Sequence, residues 1–349
     1  MTAGTQLDEP SPVRPDSRER VTVIIKALNE ERHIDAAIRS ALAALAGIDG
    51  EVILSDSGSA DRTVEIARQY PITILQLKNT AERRCGIGPQ LGFQLARGDF
   101  VYILDGDMEL DAAFVKSALS AMAADGKLAG VAGLVEEESE ANYEFRGRKR
   151  RGVEAIARDC QWLDMGGLYR TEALRDVGYF SNRNLHSFEE MDLGLRLSAR
   201  GWKLRRLAMR GVLHHGRTES NWTLLRKRWR SHYLDGPGEL LRAALGRSYF
   251  MRAAKSQRHL IVGLLIWLGL IGGLLLLPIN SGLLLLSLLA TAVLILIRAW
   301  RARSIADACF GQVVWQVGAL ALVRGFFAKG RNPADPIEYN LIKQSQPRP

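Results

Sequence analysis

Two aspartates two residues apart, Asp105 and Asp107, close a continuously apolar run, Phe100-Val-Tyr-Ile-Leu104. Carboxylates so placed at a strand end can meet one hard cation, and Mg²⁺ or Mn²⁺ takes such oxygen ligands while bridging to substrate phosphates. An Asp-x-Asp alone says little, because turns are rich in Asp. Its place directly after a buried strand gives it weight. Asn29 and Asp56 stand in the same relation to two other runs, Val21-Thr-Val-Ile-Ile25 and Glu51-Val-Ile-Leu-Ser55. Glu189 and Glu190 open a helical pattern, and His214 and His215 follow a further strand-like segment, 203–209. Each has a plain alternative: an acid pair suits any helix N-terminus, and Asp56 could simply cap the helix that begins near Asp61.

The elements that position these residues alternate. Strands at 21–25, 51–55, 72–75 and 100–104 are separated by helical patterns that reach Ala46, span 61–69 and end at 96–98. The strands are apolar throughout, which is the mark of a parallel sheet covered on both faces. Ligands of such sheets bind beyond the carboxyl ends of the strands. Asn29, Asp56 and Asp105 all sit there, so three polar strand ends converge on one rim. Segments 128–135, 164–170 and 203–209 read as further strands. The fold class is α/β.

The 349 residues carry 47 Lys+Arg and 38 Asp+Glu, a net charge of +9. The excess is confined to the back: from residue 221 onward there are 17 basic against 5 acidic residues, whereas the first 220 hold 30 against 33. Residues 260–297 hold no charged side chain. As one helix they would run roughly 57 Å, about twice a hydrocarbon core. Pro278-Ile-Asn-Ser-Gly282 breaks the run, so two spans, 260–277 and 283–297, joined by a tight turn fit better. Arg247, Arg252, Lys255 and Arg258 precede the hairpin and Arg298, Arg301 and Arg303 follow it. Positive flanks stay cytoplasmic, which places both ends of the hairpin and the front domain there, as a multi-pass protein of the inner (cell) membrane. Segment 309–323, interrupted by Gln312 and Gln316, reads as an interfacial or re-entrant helix, with a third span as the alternative. The basic excess tracks these segments, so no nucleic-acid partner is expected. Cys85, Cys160 and Cys309 form no CxxC pair, which leaves reduced thiols rather than a zinc or disulfide framework.

The expected layout is a disordered tail over 1–20, with no signal-peptide pattern, and a catalytic domain over 21–217. A basic, aromatic interfacial region follows over 218–258, holding Trp222, Arg226, Arg228, Trp229 and Arg230. The transmembrane hairpin covers 259–298, the interfacial or re-entrant helix 299–331, and a loose tail 332–349.

Taken in order, four features resemble the family 2 glycosyltransferases of GT-A fold: Val21–Glu30 with its Asn-Glu ending, Asp56-Ser-Gly-Ser-Ala-Asp61, Asp105-Gly-Asp107, and Phe188-Glu-Glu-Met-Asp-Leu193 with Arg196-Leu and Gly201-Trp downstream. The resemblance covers roughly 20–216 and implies a GT-A nucleotide-sugar-binding fold followed by C-terminal transmembrane helices. It implies that Ala27, Leu28, Glu30, Asp56 and Asp105 line the nucleotide-sugar donor. Asp105 and Asp107 would hold a divalent metal, Mn²⁺ or Mg²⁺, together with His214 or His215. Gly166 and Gly167 are counted with the donor-lining set, and their lack of side chains would let an acceptor approach. The second acid of the Glu-Glu segment, Glu190, would be the general base of an inverting transfer. Glu stands where the family has Asp, so Glu189 is its rival; Asp192 reads as structural. Lys26 stands where the family often has Pro, and Pro89-Gln90 where it often has Arg-Asn, so either a diphosphate contact is missing there or Arg83 or Arg84 replaces it. Leu225-Arg-Lys-Arg228-Trp229 keeps only the Arg-Trp of the processive synthases' Gln-x-x-Arg-Trp, which argues against polymerisation.

The implied activity is transfer of a sugar from a nucleotide sugar to a lipid-linked or saccharide acceptor at the membrane, in polysaccharide or cell-envelope glycan biosynthesis. The alternatives are a polyprenyl-phosphate glycosyltransferase, or a non-catalytic nucleotide-sugar-binding scaffold of a membrane glycan complex.

Overall fold

The computed structural model describes residues 20–138, 157–164, 166–216, 219–279 and 281–345. The tail expected over 1–20 lies outside them apart from Arg20, as do Met165 of the glycine loop and residues 346–349. Four parallel strands form the half of the sheet that carries the rim. They are β1 (Val21–Ala27), β2 (Gly50–Asp56), β3 (Thr73–Leu77) and β4 (Phe100–Asp105), in the order β3-β2-β1-β4. Between them run α1 (Ile34–Ala44), α2 (Thr63–Ala67) and α3 (Ile87–Phe93).

Alternate side chains of a strand face opposite ways. Val21, Val23, Ile25 and Ala27 of β1 therefore join Ile34 and Ile38 of α1 in one core, while Ile24 packs into a second with Val101 and Ile103. Burial on both faces is why β1 reads as unbroken hydrophobic sequence. Its one charged residue, Lys26, sits at the rim end.

Beyond β4 the sheet is mixed. It continues through β8 (Gly167–Arg170), β6 (Leu128–Glu137), β9 (Lys203–His214) and the short β5 (Met108–Leu110), with β7 (Arg158–Cys160) beside β9. Among the described residues, only the β6–β9 pairing is parallel in this half. Among the described residues, the domain's further α-helices are α4 (Phe114–Ala124), α5 (Thr171–Asp176) and α6 (Glu189–Ala199).

After the domain come α7 (Asn221–Arg230), α8 (Gly236–Ala244), α9 (Phe250–Ser256), α10 (Arg258–Leu275), α11 (Gly282–Ala302) and α12 (Ile305–Phe327). Among the described residues, three helices, α10, α11 and α12, are long and apolar enough to cross a membrane. α12 is one continuous helix of 23 residues, longer than the segment 309–323 suggests. Near its start Phe310 meets Trp222 of α7 edge-on at 5.0 Å. Near its end Arg324 bonds the Asp235 carboxylate and the Trp229 carbonyl and lies over the Trp229 ring. There the backbones touch: a Cβ on Gly238 would fall 1.9 Å from the Leu322 carbonyl oxygen, and one on Gly325 2.1 Å from that of Asp235.

The last segment is not the loose tail that its sequence suggests. Residues 339–343 form β10 (Tyr339–Lys343), antiparallel to the edge strand β3. On the way, Gln94 and Ile337 exchange two hydrogen bonds, and Arg183 donates to the carbonyls of Asp335 and Pro336. An open β3 edge offers unpaired backbone groups, and a short alternating segment suffices to cover it.

Candidate active site

Lys26 and Asp105 are register partners on β1 and β4, which brings their side chains together at the rim. The Lys26 ammonium lies 3.1 Å from Asp105 Oδ1 and 3.2 Å from Glu189 Oε1. It thus ties the Asp-x-Asp loop to the first turn of α6. Burial alone would lower the Lys26 pKa, but Asp105, Glu189 and Glu190 hold it well above the ordinary value. Burial and, secondarily, Asp107 raise the Asp105 carboxyl, which Lys26 partly offsets. Cys85 stands within the field of the same charges, and burial pushes its thiol up.

α6 begins from a residue in the left-handed region, Phe188 at φ 68°. Such a conformation costs a bulky residue about 1–3 kcal/mol and is tolerated where it aims a functional group. Here it turns the chain so that Glu189 and Glu190 open the helix. The two acids then differ. Glu189 is 7% exposed and paired with Lys26. Glu190 is half-buried and has no hydrogen-bond or ion-pair partner among the described residues. Burial, followed by the neighbouring Glu189, raises its pKa to about 8. A half-buried, unpartnered carboxylate with a pKa near neutrality has the properties of a general base.

His214 and Asp107 face each other across the pairing of β9 with β5. His214 Nε2 lies 3.6 Å from Asp107 Oδ2, and its Nδ1 lies 2.6 Å from Glu137 Oε2. Burial works against protonation of His214, but Asp107 and Glu137 outweigh it and raise its pKa to about 9. His215 is held differently: both its ring nitrogens are engaged at 2.7 Å, by Glu138 and Glu109, and its ring stacks on His33 at 5.1 Å. The His214 ring faces the Asp107 carboxylate, whereas His215 meets Asp107 through its backbone amide, which donates to the Asp107 carbonyl.

Asp56 is fully buried. It accepts hydrogen bonds from the Gly58 and Ser59 amides, the Ser59 hydroxyl and Gln76. Asn29, left-handed at φ 57°, exchanges two bonds with the same loop: its amide donates to Ser59 Oγ and its Oδ1 accepts from the Ala60 amide. These bonds staple the ends of β1 and β2 together, leaving Ala27, half-exposed Leu28 and Glu30 along the rim. Arg83 braces that loop through the Ser57 and Gly58 carbonyls, whereas Arg84 turns to the Glu82 carbonyl. Gln90 accepts from the Phe180 and Ser181 amides. Gly166 has φ 103°, where a side chain would be strained, and a Cβ there would sit 3.2 Å from the Tyr102 hydroxyl. Gly167 lies on β8 beside β4.

Among the described residues no three His, Cys, Asp or Glu side chains form a closed metal cage. The Asp107–His214 pair still fits a divalent cation, since Mg²⁺-type sites use one or two protein ligands and take the rest from substrate phosphates. We expect Asp107→Asn to weaken Mn²⁺-dependent donor binding by at least about 10–100-fold. Calorimetry with and without EDTA measures this, and unchanged metal dependence would refute it.

Residues 22–182 match the glycosyl transferase family 2 profile. Over that stretch the chain is similar to the family 2 glycosyltransferases. A 94-residue stretch is 30% identical to the dolichol-phosphate mannosyltransferase of Pyrococcus furiosus, covering 26% of each chain. A 103-residue stretch is 33% identical to the undecaprenyl-phosphate 4-deoxy-4-formamido-L-arabinose transferase of Pectobacterium carotovorum, covering 27% of this chain and 31% of that one. The chain thus spans less than a third of the length of these curated relatives. Among solved structures, Staphylococcus aureus TarS (residues 1–349) aligns at TM-score 0.46 and 16% identity, over 66% of this chain and 73% of that chain. GalNAc-T7 with UDP, GalNAc and Mn²⁺ aligns at 0.47 and 13%, over 58% and 45%.

The domain holds two pairings that its sequence did not announce. Lys26 is the one charged residue in β1, and a lone charge ending a doubly covered strand is a signal that could have found it. Glu137, Glu138 and Glu109 come from distant segments, and only the β6–β9–β5 pairing brings them to the histidines.

Proposed function

We propose that the protein transfers a sugar, with inversion, from a nucleotide-sugar donor to a lipid-linked acceptor at the membrane surface. The observation that carries this is the unpartnered Glu190 at the start of α6, on the rim that bears Asp105 and Asp107. Glu190 would take the proton of the acceptor hydroxyl as the oxygen attacks the anomeric carbon. Lys26 keeps Glu189 occupied and fixes Asp105, while Asp107 and His214 would hold a divalent cation. That cation, when bound, supplies Lewis-acid stabilisation of the leaving nucleoside diphosphate. The test is a panel of nucleotide sugars with Mn²⁺ or Mg²⁺, with release of nucleoside diphosphate measured with and without lipid-linked saccharides. No release from any donor would leave only the scaffold role.

A second reading has its own support. Both curated relatives carry polyprenyl-phosphate acceptors in their names. A phosphate acceptor is already anionic and needs no base, so dependence on Glu190 separates the two.

The same reading places the domain on the cytoplasmic face of the inner membrane, with α10 and α11 crossing as a hairpin and α12 lying along the surface. The pairing of β10 with the sheet that carries the rim supports an even number of crossings between α9 and β10. α12 runs beside α7, as its contacts at Phe310 and Arg324 require. Between those contacts Trp315 packs on His259 at the start of α10 and under Arg298 near the end of α11. In a cysteine-free background, a cysteine at Ser281 should react with an impermeant maleimide in intact cells, and one at Pro349 only after lysis. Labelling of position 349 in intact cells would mean three crossings.

A further inference from the structure

A cavity of about 420 Å³ lies at the far end of α6 from the catalytic acids, between that helix and the corner joining α8 to α9. Its polar lining comprises Tyr179, Arg196, Arg200, Arg247, Ser248 and Tyr249. Arg196 is spent on Asp192 and on the Tyr179 and Phe180 carbonyls. The other two cations are available. Arg200 approaches a carboxylate, that of Asp176, only at 3.8 Å, and Arg247 has no carboxylate partner among the described residues. Tyr249 is 7% exposed, and its hydroxyl has no hydrogen-bond partner among the described residues. Burial raises both phenols, so they remain protonated donors at neutral pH. The cavity therefore offers hydrogen-bond donors and positive charge without a matching acceptor.

Its position adds to its chemistry. The corner exposes two large apolar residues, Leu245 at 59% and Met251 at 73%. α9 leads through Gln257 into α10, the first candidate span, so Tyr249 of the cavity lies about two helical turns along the chain from that span. Apolar side chains flanking Arg-rich polar ground are how a protein seats at the headgroup level of a membrane.

We infer that this cavity binds the phosphate of an anionic phospholipid, with Arg247, Arg200 and Tyr249 as its donors and Leu245 and Met251 against the acyl chains. It is a lipid site separate from the acceptor site. It rests on the proposed membrane placement of α10, which maleimide labelling at position 281 tests independently.

The experiment is native mass spectrometry of the full chain in neutral detergent with added phosphatidylglycerol or phosphatidylcholine. The wild type should retain one phosphatidylglycerol more than Arg200→Ala/Arg247→Ala, with phosphatidylcholine retention the same in both. Tyr249→Phe keeps the ring in place and removes one donor; it should lower occupancy by about tenfold, the size of one charge-assisted hydrogen bond. Equal phosphatidylglycerol counts in wild type and double variant would overturn the site. Displacement of the lipid by millimolar inorganic phosphate would overturn the lipid assignment in favour of a soluble anion. None of these readouts depends on sugar transfer, so failure here and failure of the proposed activity are distinguishable.

Discussion

Glu190→Gln should lower sugar transfer to a hydroxyl acceptor by about 10²–10⁴-fold, the contribution typical of a positioned general base. The change is nearly isosteric and removes only the ability to accept a proton. Donor binding should persist, because Asp105, Asp107 and the Asp56 loop are untouched. Glu189→Gln should do less to the chemistry and more to the site's order, since it frees Lys26 from its 3.2 Å contact. The pH profile is an independent check. A general base works only when deprotonated, and burial, followed by the neighbouring Glu189, raises the Glu190 pKa to about 8. Activity at saturating Mn²⁺ should therefore rise with pH up to that value and level above it. Saturating metal is needed because His214, with a pKa near 9, must also lose its proton to serve as a ligand. Near-normal transfer by the Glu190 variant, with a flat profile, would move the enzyme to phosphate acceptors.

The rim was legible because strand burial and strand ends leave local marks. Strand-like runs of five residues with Asn29, Asp56 and Asp105 after them sufficed to place three polar residues at the strand ends of the candidate rim. The position of Glu190 came from the Phe188–Leu193 segment. Its environment did not, because the Lys26–Glu189 pair that leaves Glu190 free joins residues 163 positions apart. The choice between His214 and His215 is open for the same reason: His214 ends β9 and His215 follows it, and only the register against β5 shows whose ring faces the Asp107 carboxylate. The C-terminal strand was missed because five residues carry too little periodicity to stand alone. Its partner, the open edge of β3, is about 265 residues away and exists only in the folded sheet.

Arg196→Leu should destabilise the catalytic domain by about 3–5 kcal/mol, the cost of leaving a buried charge without its partner. Asp192 is completely buried and Arg196 is 6% exposed, with Nε donating to Asp192 Oδ2 at 2.8 Å. The other Asp192 oxygen has no partner among the described residues, so no second cation stands ready to replace the first. The thermal midpoint should fall by roughly 10 °C for a domain of this size. The double variant Arg196→Leu/Asp192→Leu distinguishes two contributions. An apolar pair of similar volume removes the stranded charge, and such replacements are often neutral. Arg196 also donates to the carbonyls of Tyr179 and Phe180 at 2.7 and 2.9 Å and stacks on the Tyr179 ring. Those bonds clamp the loop after α5 against the helix that Glu190 opens, and leucine cannot make them. The double variant should therefore recover part of the stability and still lose activity through a misplaced α6. Full recovery of both would reduce Arg196 to a counter-ion for Asp192, with no share in positioning the catalytic helix.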